Sequence, residues 1–287
     1  MNILVTGANG QLGHELAAIL SGSEDHAFLT DTDTLDVTRK EEVEKYFINH
    51  DIHVIVNCAA YTRVDQAEKE TAQAEMVNTL ATSYLREVSS RFGSWVIHLS
   101  TDYVFDGNSP KPYLENDPAR PLSAYGRTKL GGEQALRNYK KGIVIRTSWL
   151  YSHTGTNFVK TILTNGLNKP ILRVVNDQVG SPTCARDLAS AIHIIIQHIR
   201  LKPVKVVPGI YHYSNEGIAS WYDFAWEIVR LAHLPCRVMP VPTSQYLQHA
   251  PRPFYSVMSK EKIKQAFGIT IPHWKESLEN FIKEYNW

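Results

Sequence analysis

The sequence predicts an α/β protein, a doubly wound parallel sheet over roughly the first 150 residues followed by a smaller C-terminal lobe. Three observations predict it. Short apolar runs alternate with helical segments up to Trp149, and the runs are mostly continuous, as in strands buried on both faces. A glycine-rich turn, GANGQLG, follows the first run directly. Beyond Trp149 the alternation loosens, and from Lys202 onward proline becomes frequent. That lobe is expected to take up most of 151–287, with part of 171–200 returning to the first domain, 1–150.

Element by element, the first strand covers 3–6, and Gly7, Gly10 and Gly13 separate it from a helix over 11–20. Strand 27–30, helix 40–50, strand 54–58, helix 71–92, strand 95–99, helix 123–139 and strand 142–146 complete the sheet domain. Ser123 is a good N-cap for the helix that it opens. The later part reads as helix 157–165, strand 171–175, the loop NDQVGSPT, helix 185–198, strand 211–214, helix 220–232 and a terminal helix over 275–285.

Composition narrows the classes. With 287 residues the chain holds one large domain or a domain plus a lobe, and a net charge of +1 carries no electrostatic footprint for nucleic acid. No apolar run approaches the ~18 residues of a membrane span. The N-terminus enters a strand at once, without the basic region and long apolar core of a secretory signal. Three widely spaced cysteines, Cys58, Cys184 and Cys236, lack metal-ligand spacing, and the 12 histidines are scattered. A reduced, cytoplasmic protein without a nucleic-acid or membrane partner is the expectation.

In such sheets ligands bind beyond the carboxyl ends of the strands, and those ends carry the unusual residues. The turn Gly7, Gly10, Gln11, Leu12 and Gly13 is one residue off the G-x-G-x-x-G spacing, but the mechanism is shared. Glycines let the turn close, and a helix N-terminus faces a pyrophosphate. This gives the sheet domain a Rossmann-like reading. The second strand ends at Asp31, where an acid can hold ribose hydroxyls or simply sit solvated in a loop. No arginine follows it directly, which leans toward NADH over NADPH. The third strand ends in Ala59, Ala60 and Tyr61, small groups that let a cofactor lie against backbone. The fourth ends in Ser100 and Thr101, the fifth in Thr147, Ser148 and Trp149.

On the helix after Ser123, Tyr125 and Lys129 stand one turn apart on one face. Bringing a phenol from its ordinary pKa of about 10 to near 7 takes roughly 4 kcal/mol. A unit charge about 4 Å away, at an effective dielectric of about 20, supplies a term of that order. Three glycines in the same helix, Gly126, Gly131 and Gly132, each cost about 1 kcal/mol against alanine. A close-lying cofactor or a packed helix is the usual gain.

Taken together, GANGQLG, NCAAYTRVDQAE, LSTDYVFDG, YGRTKLGGE, RTSWLY, NDQVGSPT and RPFYSVM resemble the dTDP-4-dehydrorhamnose reductases, a family of extended short-chain dehydrogenases/reductases. The resemblance runs from Met1 to the terminal helix. It implies reduction of a dTDP-4-keto sugar to dTDP-L-rhamnose with NADPH or NADH, and makes the C-terminal part a substrate lobe. It implies Tyr125 as proton donor, Lys129 on the nicotinamide ribose and acidifying the phenol, and Thr101 on the substrate carbonyl. Asp102, Tyr103 and Trp149 match positions lining the sugar pocket. Asp36 and Val37 match the segment near the adenine, and Ala59, Ala60 and Tyr61 match the cofactor wall, with Ser100 beside it. Plainer readings stand alongside these: a strand-end cap for Thr101, a core aromatic for Trp149. Arg252, between two prolines, is either a clamp for the substrate diphosphate or a surface arginine.

Magnesium is associated with the family through glutamates, one of them at the position of Glu15. Here Arg186 lies where another carboxylate is expected, so no metal ligand is assigned and magnesium stays open. The related 4,6-dehydratases carry Thr-Asp-Glu where this chain has Thr101, Asp102 and Tyr103, which removes the extra acid/base of dehydration. A 4-epimerase is disfavoured by the whole-chain match. Two alternatives remain: a reductase of a neighbouring 4-ketosugar, and a non-catalytic subunit resembling the regulatory β-subunit of methionine adenosyltransferase. A homodimer is compatible with the sequence, which does not decide oligomeric state.

Overall fold

The computed structural model describes residues 1–284. Its centre is a sheet of six parallel strands: β1 (Asn2–Thr6), β2 (His26–Thr30), β3 (Val54–Asn57), β4 (Trp95–Thr101), β5 (Gly142–Thr147) and the strand Gly209–His212. Every residue of β3 and β4 is buried, which is why their sequences do not alternate. From one edge the order is Gly209–His212, β5, β4, β3, β1, β2. The order reverses between β1 and β3, which opens a crevice at the carboxyl ends there.

Two layers of helices cover the sheet. Helix α1 (Gln11–Ser21) and the helix Ala185–Leu201 bury Leu12, Leu16, Leu188, Ile192 and Ile195 against one face, together with Ile263 and Phe267. Leu16 is fully buried, so Leu16→Ala costs about 2–5 kcal/mol. Helix α2 (Lys40–His50), with the helices Ala81–Phe92 and Ala124–Leu136, covers the other face through Val43, Phe47, Leu85, Val88 and Leu136.

The chain returns to this body more widely than part of 171–200. It contributes Ala185–Leu201, the edge strand Gly209–His212, two residues upstream of the expected 211–214, and the helix Glu261–Phe267. A separate core builds the lobe, around Tyr151, Leu163, Phe224, Trp274 and Phe281. Ile171–Val175 pairs with Arg237–Val241, and two-residue strands pair Leu150–Tyr151 with Thr183–Cys184 and Val179–Gly180 with Ala219–Ser220. Strands that short carry no periodicity to read.

The expected helix 71–92 is continuous but contains a π turn, Met76–Leu80. The terminal helix spans Trp274–Glu284; Tyr285, the expected last residue, lies outside the described residues. Among the described residues no helix is long and apolar enough to cross a membrane.

Candidate active site

At the carboxyl ends of the strands lie two adjoining cavities, of about 650 Å³ and about 350 Å³, which share Gly7, Gly10, Cys58 and Ala60. The smaller is lined by Asp31, Asp36, Val37, Ala59 and Tyr61. The larger is lined by Gln11, Leu12, Gly13, Ser100, Thr101, Asp102, Tyr103, Tyr125, Lys129 and Trp149. Of the expected site residues only Arg252 lines neither.

Backbone builds the first half of this crevice. Gly7 has φ +64°, and a β-carbon there would fall 2.7 Å from the backbone nitrogen of Ala59. Only glycine lets the turn lie against β3's end. Helix α1 starts at Gly10 without a side-chain cap and without an acid in its first turn, leaving its amides and partial positive charge for an anion. This cradle fits a dinucleotide pyrophosphate. Asp31 accepts hydrogen bonds from the backbone N–H of Asn9 (3.1 Å) and of Thr32 (2.8 Å), which ties the adenine side to the glycine turn. Arg39, the nearest downstream guanidinium, is engaged with Asp36 (3.4 Å) and Glu42 (3.0 Å).

The reacting groups come from the helix Ala124–Leu136 and the end of β4. The Ser123 hydroxyl accepts from the Gly126 N–H and caps the helix. The glycines of this helix serve packing: a β-carbon on Gly126 would strike the carbonyl of Tyr103, and one on Gly131 or Gly132 would strike Thr79 or the carbonyl of Asn78. Asn78 was not legible as a site residue. It lies fully buried in the π turn, accepts from the Tyr61 N–H (2.9 Å) and donates to the Thr128 hydroxyl (3.0 Å), locking the cofactor wall to the tyrosine helix. Its signal is the π turn, a feature frequent at functional sites and invisible in sequence.

Tyr125 and Lys129 both face the cavity, but their electrostatics differ from expectation. Burial pushes the Tyr125 phenol up to about 12, opposed by the neighbouring Thr101 hydroxyl and reinforced by Asp102. The Lys129 ammonium donates to the Leu99 carbonyl at 2.5 Å. Burial brings Lys129 down to about 8, against the opposing charge of Glu133. The phenol is thus a fully protonated donor at neutral pH. Burial also raises Asp102 to about 6, opposed by the hydroxyls of Ser256 and Thr101, and raises the Cys58 thiol to about 12, so no thiolate nucleophile is at hand. The Ser100 hydroxyl donates to Glu133 (2.5 Å), which in turn holds Arg146 at 2.7 Å. Ser100 therefore braces the helix while lining the cavity.

The Arg252 guanidinium is paired in this structure. It is forked on Asp65, at 3.1 and 2.9 Å, and Asp65 also accepts from the backbone N–H of His249 and Ala250. The pair ties the segment 249–252 down beside Tyr103. Trp149 stacks on Trp221 with ring centroids 3.6 Å apart. Trp221 lines the cavity too and escaped the sequence reading, because nothing local brings it to β5.

Glu15, the candidate magnesium position, is buried and lies 3.7 Å from Arg186, which pairs with Glu284 at 2.7 Å. A guanidinium between two carboxylates already supplies the cation, so these residues do not fit a metal. Among the described residues no group of three or more His, Cys, Asp or Glu could hold one.

The profile of the family described as RmlD substrate binding domain matches residues 1–287. A dTDP-4-dehydrorhamnose reductase of Aggregatibacter actinomycetemcomitans is 42% identical over 97% of this chain and 97% of its own length. A solved dTDP-4-dehydrorhamnose reductase from Clostridium acetobutylicum superposes with a TM-score of 0.93 at 40% identity, covering 99% of both chains. One from Bacillus anthracis, solved in complex with NADP, superposes with a TM-score of 0.91 at 37% identity, again over 99% of both.

Proposed function

The chain belongs to the RmlD substrate binding domain family and is an NAD(P)-dependent oxidoreductase; from that premise we propose that it reduces the 4-keto group of dTDP-4-dehydro-L-rhamnose to give dTDP-L-rhamnose in the cytoplasm, with Tyr125 as proton donor. The observation that carries this reading is a partly buried phenol that shares a cavity with a hydroxyl and an ammonium, at the meeting point of a dinucleotide cradle and an aromatic cavity. Its two lobes divide the work, the sheet domain holding the dinucleotide and the rest holding the sugar.

When bound, NADPH or NADH supplies the hydride. Gly7, Gly10 and the amides of α1 hold its pyrophosphate, Asp31 and Asp36 the adenosine side, and Ala59, Ala60 and Tyr61 the wall. As a carbonyl carbon takes a hydride, negative charge grows on its oxygen. Tyr125 gives that oxygen its proton, and the Thr101 hydroxyl donates a hydrogen bond to it. The result is a neutral alcohol, and the Lys129 ammonium stabilises the phenolate until it is reprotonated from solvent. Asp102, Tyr103 and Trp149 orient the sugar. Lys129, already desolvated by its site, gains from the ribose hydroxyls a polar partner besides the Leu99 carbonyl.

The test is turnover of dTDP-4-keto-6-deoxy-L-mannose with each cofactor by the wild type and by Tyr125→Phe. The wild type oxidises the cofactor in step with sugar reduced, and the variant binds both ligands without turnover. Cofactor oxidation that does not need the sugar contradicts the proposal.

A further inference from the structure

Trp149 sits where an ordinary tryptophan backbone would not. It follows β5 by two residues with φ +49°, a left-handed conformation rare for a bulky side chain. Such strain persists only where the surroundings over-determine it, and it gathers at functional sites. Two features do so here. On one face of the indole, Trp221 stacks at 3.6 Å between centroids and 9° between planes. At the ring's Cε2 and Cζ2 lies the bare backbone of Gly180: a β-carbon there would fall 2.8 and 2.9 Å from those atoms.

Both holders are themselves anchored. Gly180 pairs with Ala219 across an antiparallel two-residue ribbon, and the next residue, Ser220, caps the helix that Trp221 begins. The cap is reciprocal, with the Ser220 hydroxyl accepting from the Asp223 N–H and Asp223 accepting from the Ser220 N–H. Phe158 backs Trp221 at 4.5 Å. The ribbon, the cap and the stack are thus one unit, fixed to the lobe and gripping a ring that belongs to the end of the sheet.

We propose that Trp221 and Gly180 are specificity-determining positioning residues: they hold the Trp149 indole as a rigid wall of the sugar cavity, and that wall selects among nucleotide-linked 4-keto-6-deoxyhexoses by ring configuration. The proposal rests on the reductase reading above. Because one indole face is covered by Trp221, a hexose cannot stack on that face and must meet the rest of the ring. A wall that does not move discriminates by shape, since an epimer that turns its methyl or a hydroxyl toward the ring has nowhere to push it. Preorganised aromatic surface also binds without an ordering cost.

The experiment compares wild type, Trp221→Phe, Trp221→Ala and Gly180→Ala on two substrates. One is dTDP-4-keto-6-deoxy-L-mannose, the other dTDP-4-keto-6-deoxy-D-glucose, its epimer at C3 and C5. NADPH affinity and the circular-dichroism couplet of the stacked indoles are followed alongside. Trp221→Ala and Gly180→Ala should raise KM for the L-sugar about tenfold, leave kcat and NADPH affinity within about twofold, and narrow the ratio of kcat/KM between the sugars. Trp221→Phe, which keeps an aromatic face, should restore most of the discrimination while losing the couplet.

Unchanged KM and unchanged discrimination in Gly180→Ala and Trp221→Ala overturn the proposal. If Trp221→Ala fails to fold, Gly180→Ala decides alone. A wild type inactive on both sugars, with NADPH bound, contradicts the reductase reading instead and is thereby told apart from failure of the wall.

Discussion

The cofactor half and the sugar half of the crevice are built by different means. The cofactor half is made of backbone: a glycine turn pressed against Ala59, an uncapped helix N-terminus and small residues at strand ends. The sugar half is made of side chains held by partners distant in sequence. Trp149 leans on Trp221, 72 residues on, and at the rim Arg252 reaches Asp65 across 187 residues. A backbone cradle binds what all dinucleotides share, whereas walls of paired side chains can change without disturbing the sheet. Binding of the common ligand and choice of the particular one are therefore separable in this fold.

That separation can be broken by mutation, and the largest effect is expected where the halves meet. Tyr125→Phe removes one oxygen from a partly buried ring, so fold and NADPH affinity should survive while kcat falls roughly 100- to 10,000-fold. Steady-state kinetics with a thermal melt checks it, and near-normal turnover in a folded variant removes the phenol from the mechanism. Next in size is Gly7→Ala. The added methyl must fit a positive φ and a backbone nitrogen at 2.7 Å, which costs about 1–3 kcal/mol. Titration with NADPH should show at least tenfold weaker binding, with sugar-nucleotide affinity unchanged.

pH sharpens the comparison further. Burial holds Lys129 near 8 and Tyr125 near 12. A lysine works as an ammonium only below its pKa, and the phenol donates only below its own. As pH rises, Lys129 loses its proton first, so turnover should fall through about 8 rather than about 12. The expected sign is an alkaline loss expressed in cofactor affinity as well as in kcat. An alkaline limb above 10 in the kcat/KM profile contradicts the assignment. On the acid side, Asp102 gains its proton below about 6, and that limb should appear in KM for the sugar.

Smaller effects are expected at the rim. Asp65→Asn leaves Arg252 without its carboxylate and weakens the tie to segment 249–252, a charge-assisted contact worth about 1.5–3 kcal/mol when buried and less here, since the Asp65 side chain is 42% exposed. KM for the sugar nucleotide should rise a few-fold with cofactor affinity intact. Asp31 should let the enzyme accept NADH at least as well as NADPH, because an acid beside the ribose favours a free hydroxyl over a phosphate and Arg39 is already paired. A much higher kcat/KM for NADPH contradicts that.

Legibility in the sequence follows the same division. Strand ends, the glycine turn and the Tyr125–Lys129 spacing are local, so the residues named from them all line the two cavities. Three things were not local. The direction of the Tyr125 shift depends on burial and on the neighbouring Asp102, neither of which spacing reveals. The engagement of Arg252 depends on a carboxylate from the other end of the chain. The glycines of the tyrosine helix answer to Thr79, the Asn78 carbonyl and the Tyr103 carbonyl, so they report helix packing rather than cofactor contact. In the lobe, strands of two residues leave no period to detect.

The most direct measurement follows the transferred hydrogen itself. The wild type is incubated with dTDP-4-keto-6-deoxy-L-mannose and NADPH carrying deuterium at the transferring position of the nicotinamide, and the product sugar is examined by NMR. The account predicts dTDP-L-rhamnose with one deuterium, at C4, and one NADPH consumed for each sugar. Sugar recovered unreduced while NADPH stays bound, or deuterium found at any other carbon, would contradict it.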